Sequence, residues 1–110
     1  MLTAGTIVIA HFVNPTEKYW GLLLALDTPG LSLRGISVAS YDDWLSQLAR
    51  DEDSELGLST MFVPLQRVER IFLDEPMGAV ESYSQRFERR VGVPIGSYLG
   101  LAAEPQDLPS

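Results

Sequence analysis

The stretch YWGLLLALDTPGLSLRGISVAS, residues 19–40, is the most apolar part of the chain and decides its fold. Every second residue from Leu22 to Leu26 is leucine, which gives one face of a strand an apolar surface. The residues Asp27-Thr28-Pro29-Gly30 supply turn chemistry, because Asp can bond its own backbone, Pro presets φ and Gly accepts positive φ. From Leu31 to Arg34 leucine again alternates with polar residues. The stretch therefore predicts a long β-hairpin in the middle of a small sheet.

Two glycines suggest that this hairpin is bent. Gly21 lies near the start of the first strand, where the absence of a side chain permits a sharp bend or a close crossing. In the second strand the leucines before Gly35 are out of phase with Ile36 and Val38 after it. A bulge or kink at Gly35 would restore a single apolar face along a bent strand. Bent strands with internal glycines are what the closure of a small barrel requires.

The rest of the chain adds three strands and two helices to the hairpin. Ser40 is the predicted N-cap of the first helix, and Asp42 and Asp43 favour its positive end. Gly92 is the predicted end of the second helix, with one further turn between residues 93 and 101. The predicted strands are Thr6–Val13, Lys18–Asp27, Leu31–Val38, Ser59–Leu65 and Val68–Asp74, and the predicted helices are Ser40–Arg50 and Ala79–Val91.

This order of elements predicts an α+β, mainly β, fold. We expect a small five-stranded, bent antiparallel barrel, with one helix inserted between strands 3 and 4 and another at the C-terminus. Residues 1–101 form a single domain, in which residues 6–74 make the barrel core and residues 79–101 a helical segment. The prolines of residues 102–110 and their few apolar anchors predict a flexible tail.

Two segments resemble Sm-like and SH3-like small β-barrels. Gly21-Leu22-Leu23-Leu24-Ala25-Leu26-Asp27 resembles a strand of such barrels that opens with Gly and closes with Asp. Residues 60–71, TMFVPLQRVERI, resemble their last two strands, which are joined by a very tight turn. The resemblance covers roughly residues 6–74 and implies the barrel fold. Sm-like proteins form rings that bind RNA, but the chain has Thr28-Pro29-Gly30-Leu31 where that family places Asn, and Val63-Pro64-Leu65-Gln66 at its late polar turn.

The composition disfavours several functional classes. The 110 residues carry a formal net charge of -7, from 15 acidic and 8 basic residues, whereas nucleic-acid binders usually present a basic surface. Cysteine is absent, which excludes disulfides, Cys-based zinc sites and thiol nucleophiles. No apolar run reaches the roughly 18 residues of a transmembrane helix, and the N-terminus lacks the basic region of a secretory signal. The expected location is the cytoplasm, with no membrane partner.

Few residues present themselves as candidates for a functional site. His11, the sole histidine, is interpreted as a structural strand residue. Asp51, Asp53 and Glu55 alternate as in a calcium loop but lack its Gly and final Glu, so we interpret them as a solvated acidic loop. The candidate anion or nucleic-acid patch consists of Arg67, Arg70, Arg86, Arg89 and Arg90. The candidate interface or pocket aromatics are Trp20 and Trp44.

Three functional hypotheses follow, and the first is a non-enzymatic interaction module that self-associates into a homo-oligomer. Apolar residues on both faces of several strands, and edge strands that need covering, favour it. The second is a small nucleic-acid-binding barrel that uses the arginine patch. The third is a small-molecule-binding domain with a pocket near Trp44 and His11. We see no converging catalytic groups and no cofactor motif, so neither an enzyme nor a cofactor is expected.

Overall fold

The computed structural model describes residues 2–50 and 57–99. The strands are β1 (Ile7–Phe12), β2 (Glu17–Leu26), β3 (Gly30–Ser37), β4 (Ser59–Pro64) and β5 (Val68–Leu73), and the helices are α1 (Val38–Ala49), α2 (Tyr83–Val91) and the short α3 (Gly96–Leu99), with a 3₁₀ helix at Leu65–Arg67. The strands form one antiparallel sheet in the order β4-β3-β2-β1-β5. The mainly β, five-stranded antiparallel architecture with a helix between strands 3 and 4 is therefore confirmed.

The β2–β3 hairpin is present, and its two glycines meet at its centre. Gly21 and Gly35 are paired directly across the two strands. A Cβ atom added to Gly35 would lie 2.8 Å from Gly21 Cα, and one added to Gly21 would lie 2.6 Å from Gly35 Cα. The backbones therefore approach each other more closely than any side chain would allow.

Of the bulge or kink predicted at Gly35, the bulge is wrong. The pairing of β2 with β3 is continuous there, and its irregularity lies instead between Leu23 and Ala25. The change of apolar phase has another cause, because both faces of the sheet are covered. Leu33 belongs to a core on one face, and Ile36 belongs to a second core on the other.

The two cores divide the apolar residues of each strand by parity. One core lies under α1 and α2 and contains Trp20, Leu22, Ile36, Tyr41, Trp44, Leu45, Phe87 and Ile95. The other lies on the opposite face and contains Val8, Ala10, Phe12, Leu23, Leu31, Leu33 and Val63. The helices cover the first core, whereas the second is formed by side chains of the strands themselves, including Val63 of β4 and Val68 and Ile71 of β5. Both faces of β1 and β2 are therefore in contact with a core, which explains their apolar residues.

The N-terminus of α1 differs from the prediction by one turn. Ser37, not Ser40, is the N-cap, and its Oγ accepts a hydrogen bond of 3.3 Å from Ser40 N. Asp42 and Asp43 consequently lie beyond the first turn and are exposed. Tyr41, Trp44 and Leu45, which follow helical spacing in the sequence, are buried on one face of α1.

The second helix also begins later than predicted. Met77 and Val80 form an isolated antiparallel bridge, so the chain makes a tight turn where helix was expected. The helix then starts behind a capping box in which Ser82 Oγ accepts from Gln85 N and Gln85 Oε1 accepts from Ser82 N. Gly92 ends it in the left-handed conformation, as predicted.

The sheet is not closed into a barrel. Strands β4 and β5 lie at its two ends, although only the three-residue 3₁₀ helix separates them in sequence. Within the described residues no ladder pairs β4 with β5, so each leaves one edge unpaired. The predicted acidic loop at Asp51, Asp53 and Glu55 and the predicted tail at residues 102–110 lie outside the described residues.

Candidate functional site

The outer edge of β4 presents backbone groups that the sheet does not use. Gly30 exchanges both backbone hydrogen bonds with Asp27, of 2.9 and 3.1 Å, so its N–H and C=O point to β2. These directions alternate from residue to residue along an antiparallel strand, so the N–H and C=O of Leu31 point to β4, where Leu31 is paired with Val63. The N–H and C=O of Val63 therefore point to β3. By the same alternation along β4, the backbone N–H and C=O groups of Thr60 and Phe62 point away from the sheet.

The outer edge of β5 follows by the same reasoning. Asp74 N donates a 3.0 Å hydrogen bond to Ile7 O, which directs it towards β1. Alternation along the strand directs the backbone N–H and C=O of Phe72 to β1 and those of Ile71 and Leu73 outwards. The molecule therefore has two available β edges, one at each end of its sheet.

Large apolar side chains accompany both edges. Phe62 on β4 is 56% exposed and Phe72 on β5 is 46% exposed. In the turn that follows β5, Met77 is 74% exposed and Val80 is 69% exposed. Exposed apolar side chains beside an unpaired edge are typical of surfaces that contact another chain.

A groove of about 500 Å³ lies beside β5. Phe72, Met77 and Val80 give it an apolar lining, and Ser82 and Tyr83 from the start of α2 close one side. Met77 and Val80 of the tight turn at residues 77–80 line it, and the second half of this turn lies where the sequence predicted the start of a helix. Periodicity alone therefore could not have indicated the groove.

Three basic residues cross the sheet next to this groove. His11 is paired with Lys18 of β2 on one side and with Arg70 of β5 on the other, so all three point to the same face. The His11 ring contacts Phe72 edge-on at a centroid distance of 5.1 Å. Burial, and then the positive charges of Lys18 and Arg70, hold the pKa of His11 below its ordinary value against the opposing charge of Glu69.

Trp20 and Trp44, the predicted interface or pocket aromatics, are core residues. Both are buried under the helices, and their ring centroids lie 6.0 Å apart. Trp20 Nε1 donates a 3.0 Å hydrogen bond to Asp74 Oδ2. Phe62 and Phe72 are the large aromatic side chains exposed on the described part of the surface.

Asp74 organises the junction between β5 and α2. Besides the Trp20 bond, its carboxylate accepts from Tyr83 N at 2.9 Å, Ser84 N at 2.9 Å and Ser84 Oγ at 2.7 Å. It therefore satisfies backbone donors of the first helical turn from outside the helix. Tyr41 joins the same junction, because its hydroxyl donates a 2.6 Å hydrogen bond to Tyr83 O. Sequence reasoning missed Asp74, because its donors in α2 and Trp20 are 9 to 54 residues away.

The arginines of the predicted patch are largely engaged with carboxylates. Arg67 bonds Glu17 at 2.9 Å, Arg70 lies 3.4 Å from Glu69, Arg86 lies 3.2 Å from Asp42, and Arg89 bonds Glu81. Arg90 is exposed on α2. Arg86 also lies over the rings of Tyr41 and Tyr83. Most of this basic charge is thus neutralised locally.

Arg67 fastens the β1–β2 turn to the 3₁₀ helix. Its Nε donates to Val13 O and its Nη2 donates to Pro15 O, both at 2.9 Å, in addition to the Glu17 ion pair. The side chain also lies over the Phe12 ring at 5.9 Å. The guanidinium of Arg67 is therefore used mainly in contacts within the fold, with the β1–β2 turn and Glu17.

We expect Arg67→Ala to lower the free energy of unfolding by about 1–2 kcal/mol, because two carbonyls and a carboxylate lose their donor. Urea unfolding followed by fluorescence measures the change. Arg90→Ala is the matched control, since it removes the same charge from an exposed position and should change stability by less than about 0.5 kcal/mol. Equal stability of the two variants would contradict a fastening role for Arg67.

The described residues contain no group of three or more His, Cys, Asp or Glu side chains that could hold a metal ion. None of the helices in that part of the chain has the length and apolarity needed to cross a membrane. Comparison with protein-family models, curated proteins and solved structures finds no match. The functional argument therefore rests on the two β edges, the groove and the basic row.

Proposed function

We propose that this chain is a cytoplasmic, non-enzymatic interaction module that self-associates through the edges of its sheet. The observation that carries the proposal is the pair of unpaired edges at opposite ends of one sheet. Thr60 and Phe62 on one edge, and Ile71 and Leu73 on the other, direct backbone donors and acceptors outwards. Pairing β4 of one copy with β5 of the next would satisfy these groups and cover Phe62 and Phe72.

We also propose that the five-stranded sheet is strongly bent into a barrel of the Sm-like or SH3-like kind. The close Gly21–Gly35 pair supports a sharp bend. The three-residue 3₁₀ helix that joins β4 to β5 supports it further, because it holds one end of each outer strand close to the other.

Pairing of β4 with β5 has a consequence for symmetry. The two edges are different surfaces, so their pairing is head-to-tail and produces a closed ring or an open filament. Pairing of β4 with β4, or of β5 with β5, would instead give a two-fold dimer. Light scattering at micromolar concentration tests self-association itself, and a clean monomer would contradict the proposal.

Edge-blocking variants should identify the pairing. Thr60→Pro and Leu73→Pro each remove an outward N–H, which the sheet does not need, and proline is tolerated at edge strands. For head-to-tail pairing, we expect each variant to be monomeric alone and the mixture to form a 1:1 dimer through the remaining intact edges. Sedimentation of the single and mixed samples measures this.

The matched controls are Thr60→Ala and Leu73→Ala, which remove the side chain and keep the N–H. Both should assemble as the unmodified chain does, and thermal melts should show that all four variants remain folded. If only one proline variant loses assembly and the other remains a dimer, the pairing is two-fold. Assembly that survives both proline substitutions would remove the edges from the proposal altogether.

A further inference from the structure

The groove beside β5 is apolar along its length and basic at one end. Ile9, Val38, Phe72, Met77 and Val80 supply apolar surface to a volume of about 500 Å³. A volume of this size lies in the range of small-molecule sites. Met77 and Val80 are mostly exposed, so the chain leaves this surface uncovered within the residues that the structure describes.

Lys18 and His11 line the basic end and have no carboxylate bound to them in the described residues. Arg70 adds a third basic group beside His11, with Glu69 3.4 Å away from it. The positive charges of Lys18 and Arg70 on the adjacent strands oppose a further positive charge on His11, although the whole chain has a net charge of -7. A bound anion at this place would relieve the repulsion.

The opposite end of the groove limits what else can bind. Asp74, Glu75 and Glu81 line it, so a polyanion such as a nucleic acid would meet negative charge there. Asp74 is occupied by its four donors and Glu81 is bonded to Arg89, so these two carboxylates are not available to a cationic ligand. The complementary ligand carries one anionic group and an apolar body.

We propose that the groove binds a small anionic amphiphile, with its anionic head at Lys18 and His11 and its apolar body along Phe72, Met77 and Val80. The site is built by one copy of the chain, but Phe72 also lies on the β5 edge that the proposed self-association would cover, so the ligand and a partner strand would compete for it. A small amphiphile is a different class of ligand from the second copy of the chain in the proposed self-association. It also differs from the nucleic acid that the arginine-patch hypothesis would require.

The test is a titration of the full chain with octyl sulfate below its micelle-forming concentration, followed by NMR. His11 is the only histidine, so its ring signals are assigned without ambiguity. We expect saturable shifts of the His11 ring and the Met77 methyl group. The pKa of His11 should also rise on binding, because the bound anion stabilises the imidazolium. Octyl glucoside, with the same tail and no charge, should bind at least about tenfold more weakly. Inorganic sulfate should give no saturable shift.

Variants separate the head and body contacts. Lys18→Gln should weaken octyl sulfate binding about tenfold, because a charged donor is lost. Val80→Asp should abolish binding, because it places a carboxylate against the apolar body. Arg90→Gln makes the same change of net charge on α2 and should leave binding unchanged.

Three results would overturn this proposal. One is equal affinity for octyl glucoside together with no effect of Lys18→Gln, which would indicate an apolar surface without head recognition. Another is saturable shifts confined to other exposed apolar residues, such as Leu24 and Leu26. The third is binding to anionic lipid vesicles with no response to monomeric octyl sulfate. Repeating the titration with Thr60→Pro at a concentration where it is monomeric separates this site from self-association, since that form leaves Phe72 uncovered and should bind octyl sulfate.

Discussion

Gly35→Ala is expected to lower the free energy of unfolding by about 3 kcal/mol or more, which is a large part of the stability of a chain of this size. The new methyl group would lie 2.8 Å from Gly21 Cα and would also overlap the carbonyl of Trp20. Both obstacles are backbone atoms of the neighbouring strand, so no rotamer change removes the overlap. The two strands would have to separate at the middle of the sheet, where β2 joins both cores.

The measurement is urea unfolding of Gly35→Ala against Gly57→Ala. Gly57 is an exposed glycine with no other atom within 4 Å of an added Cβ, so the same substitution there should change stability by less than about 1 kcal/mol. Gly21→Ala should resemble Gly35→Ala, because its Cβ would lie 2.6 Å from Gly35 Cα. A Gly35→Ala variant as stable as Gly57→Ala would show that the two strands do not approach as closely as described.

Local sequence patterns were sufficient to predict the β2–β3 hairpin and the order in which strands and helices follow each other in the sequence. The alternation of leucine around the Asp27–Gly30 turn is a property of adjacent residues, and it survives in the structure as the paired β2 and β3 strands. The two glycines are visible in the sequence for the same reason, and they are paired directly across the two strands. The stripe of Tyr41, Trp44 and Leu45 likewise identified α1, because helical periodicity places these residues on one face.

The misplaced bulge has a different origin. A change of apolar phase at Gly35 requires a bulge only if one face of the strand is buried, and a single sequence does not say how many faces are covered. Here Leu33 and Ile36 reach separate cores on opposite faces of a regular strand. The change of phase therefore marks the position along β3 where its apolar side chains change from the core on the opposite face to the core under the helices.

The site residues were harder to predict, because they depend on pairing between distant segments. The arginines looked like a patch when counted along the chain, yet Glu17 and Asp42, far away in sequence, accept Arg67 and Arg86. Conversely, nothing in the sequence groups Lys18 and His11 with the distant Arg70. Only the antiparallel register of the strands brings these three residues onto one face. The late start of α2 does have a signal in the sequence, because Ser82 and Gln85 have the spacing of a capping box.

Asp74→Ala is expected to lower the free energy of unfolding by about 3 kcal/mol, because four donors lose one acceptor group. Two of these donors are backbone N–H groups at the start of α2, which would lose their partner and the favourable charge at the helix N-terminus. A third is the indole N–H of Trp20, which is fully buried and has no access to water in exchange. The substitution therefore affects both the helix and the core beneath it.

Two measurements distinguish this local role from general destabilisation. The Trp20 indole N–H should lose protection from hydrogen exchange in Asp74→Ala under conditions where the chain is still folded. Asp74→Asn should have an intermediate effect, since its amide keeps one acceptor oxygen but loses the charge. Asp43→Ala is the matched control, because it removes an exposed carboxylate from α1 and should cost less than about 0.5 kcal/mol. If Asp74→Ala left the exchange of the Trp20 indole unchanged, the carboxylate would not be the link between β5, α2 and the core. The exposed turn at residues 77–80, and with it the rim of the groove, would then have to be held in place by other contacts.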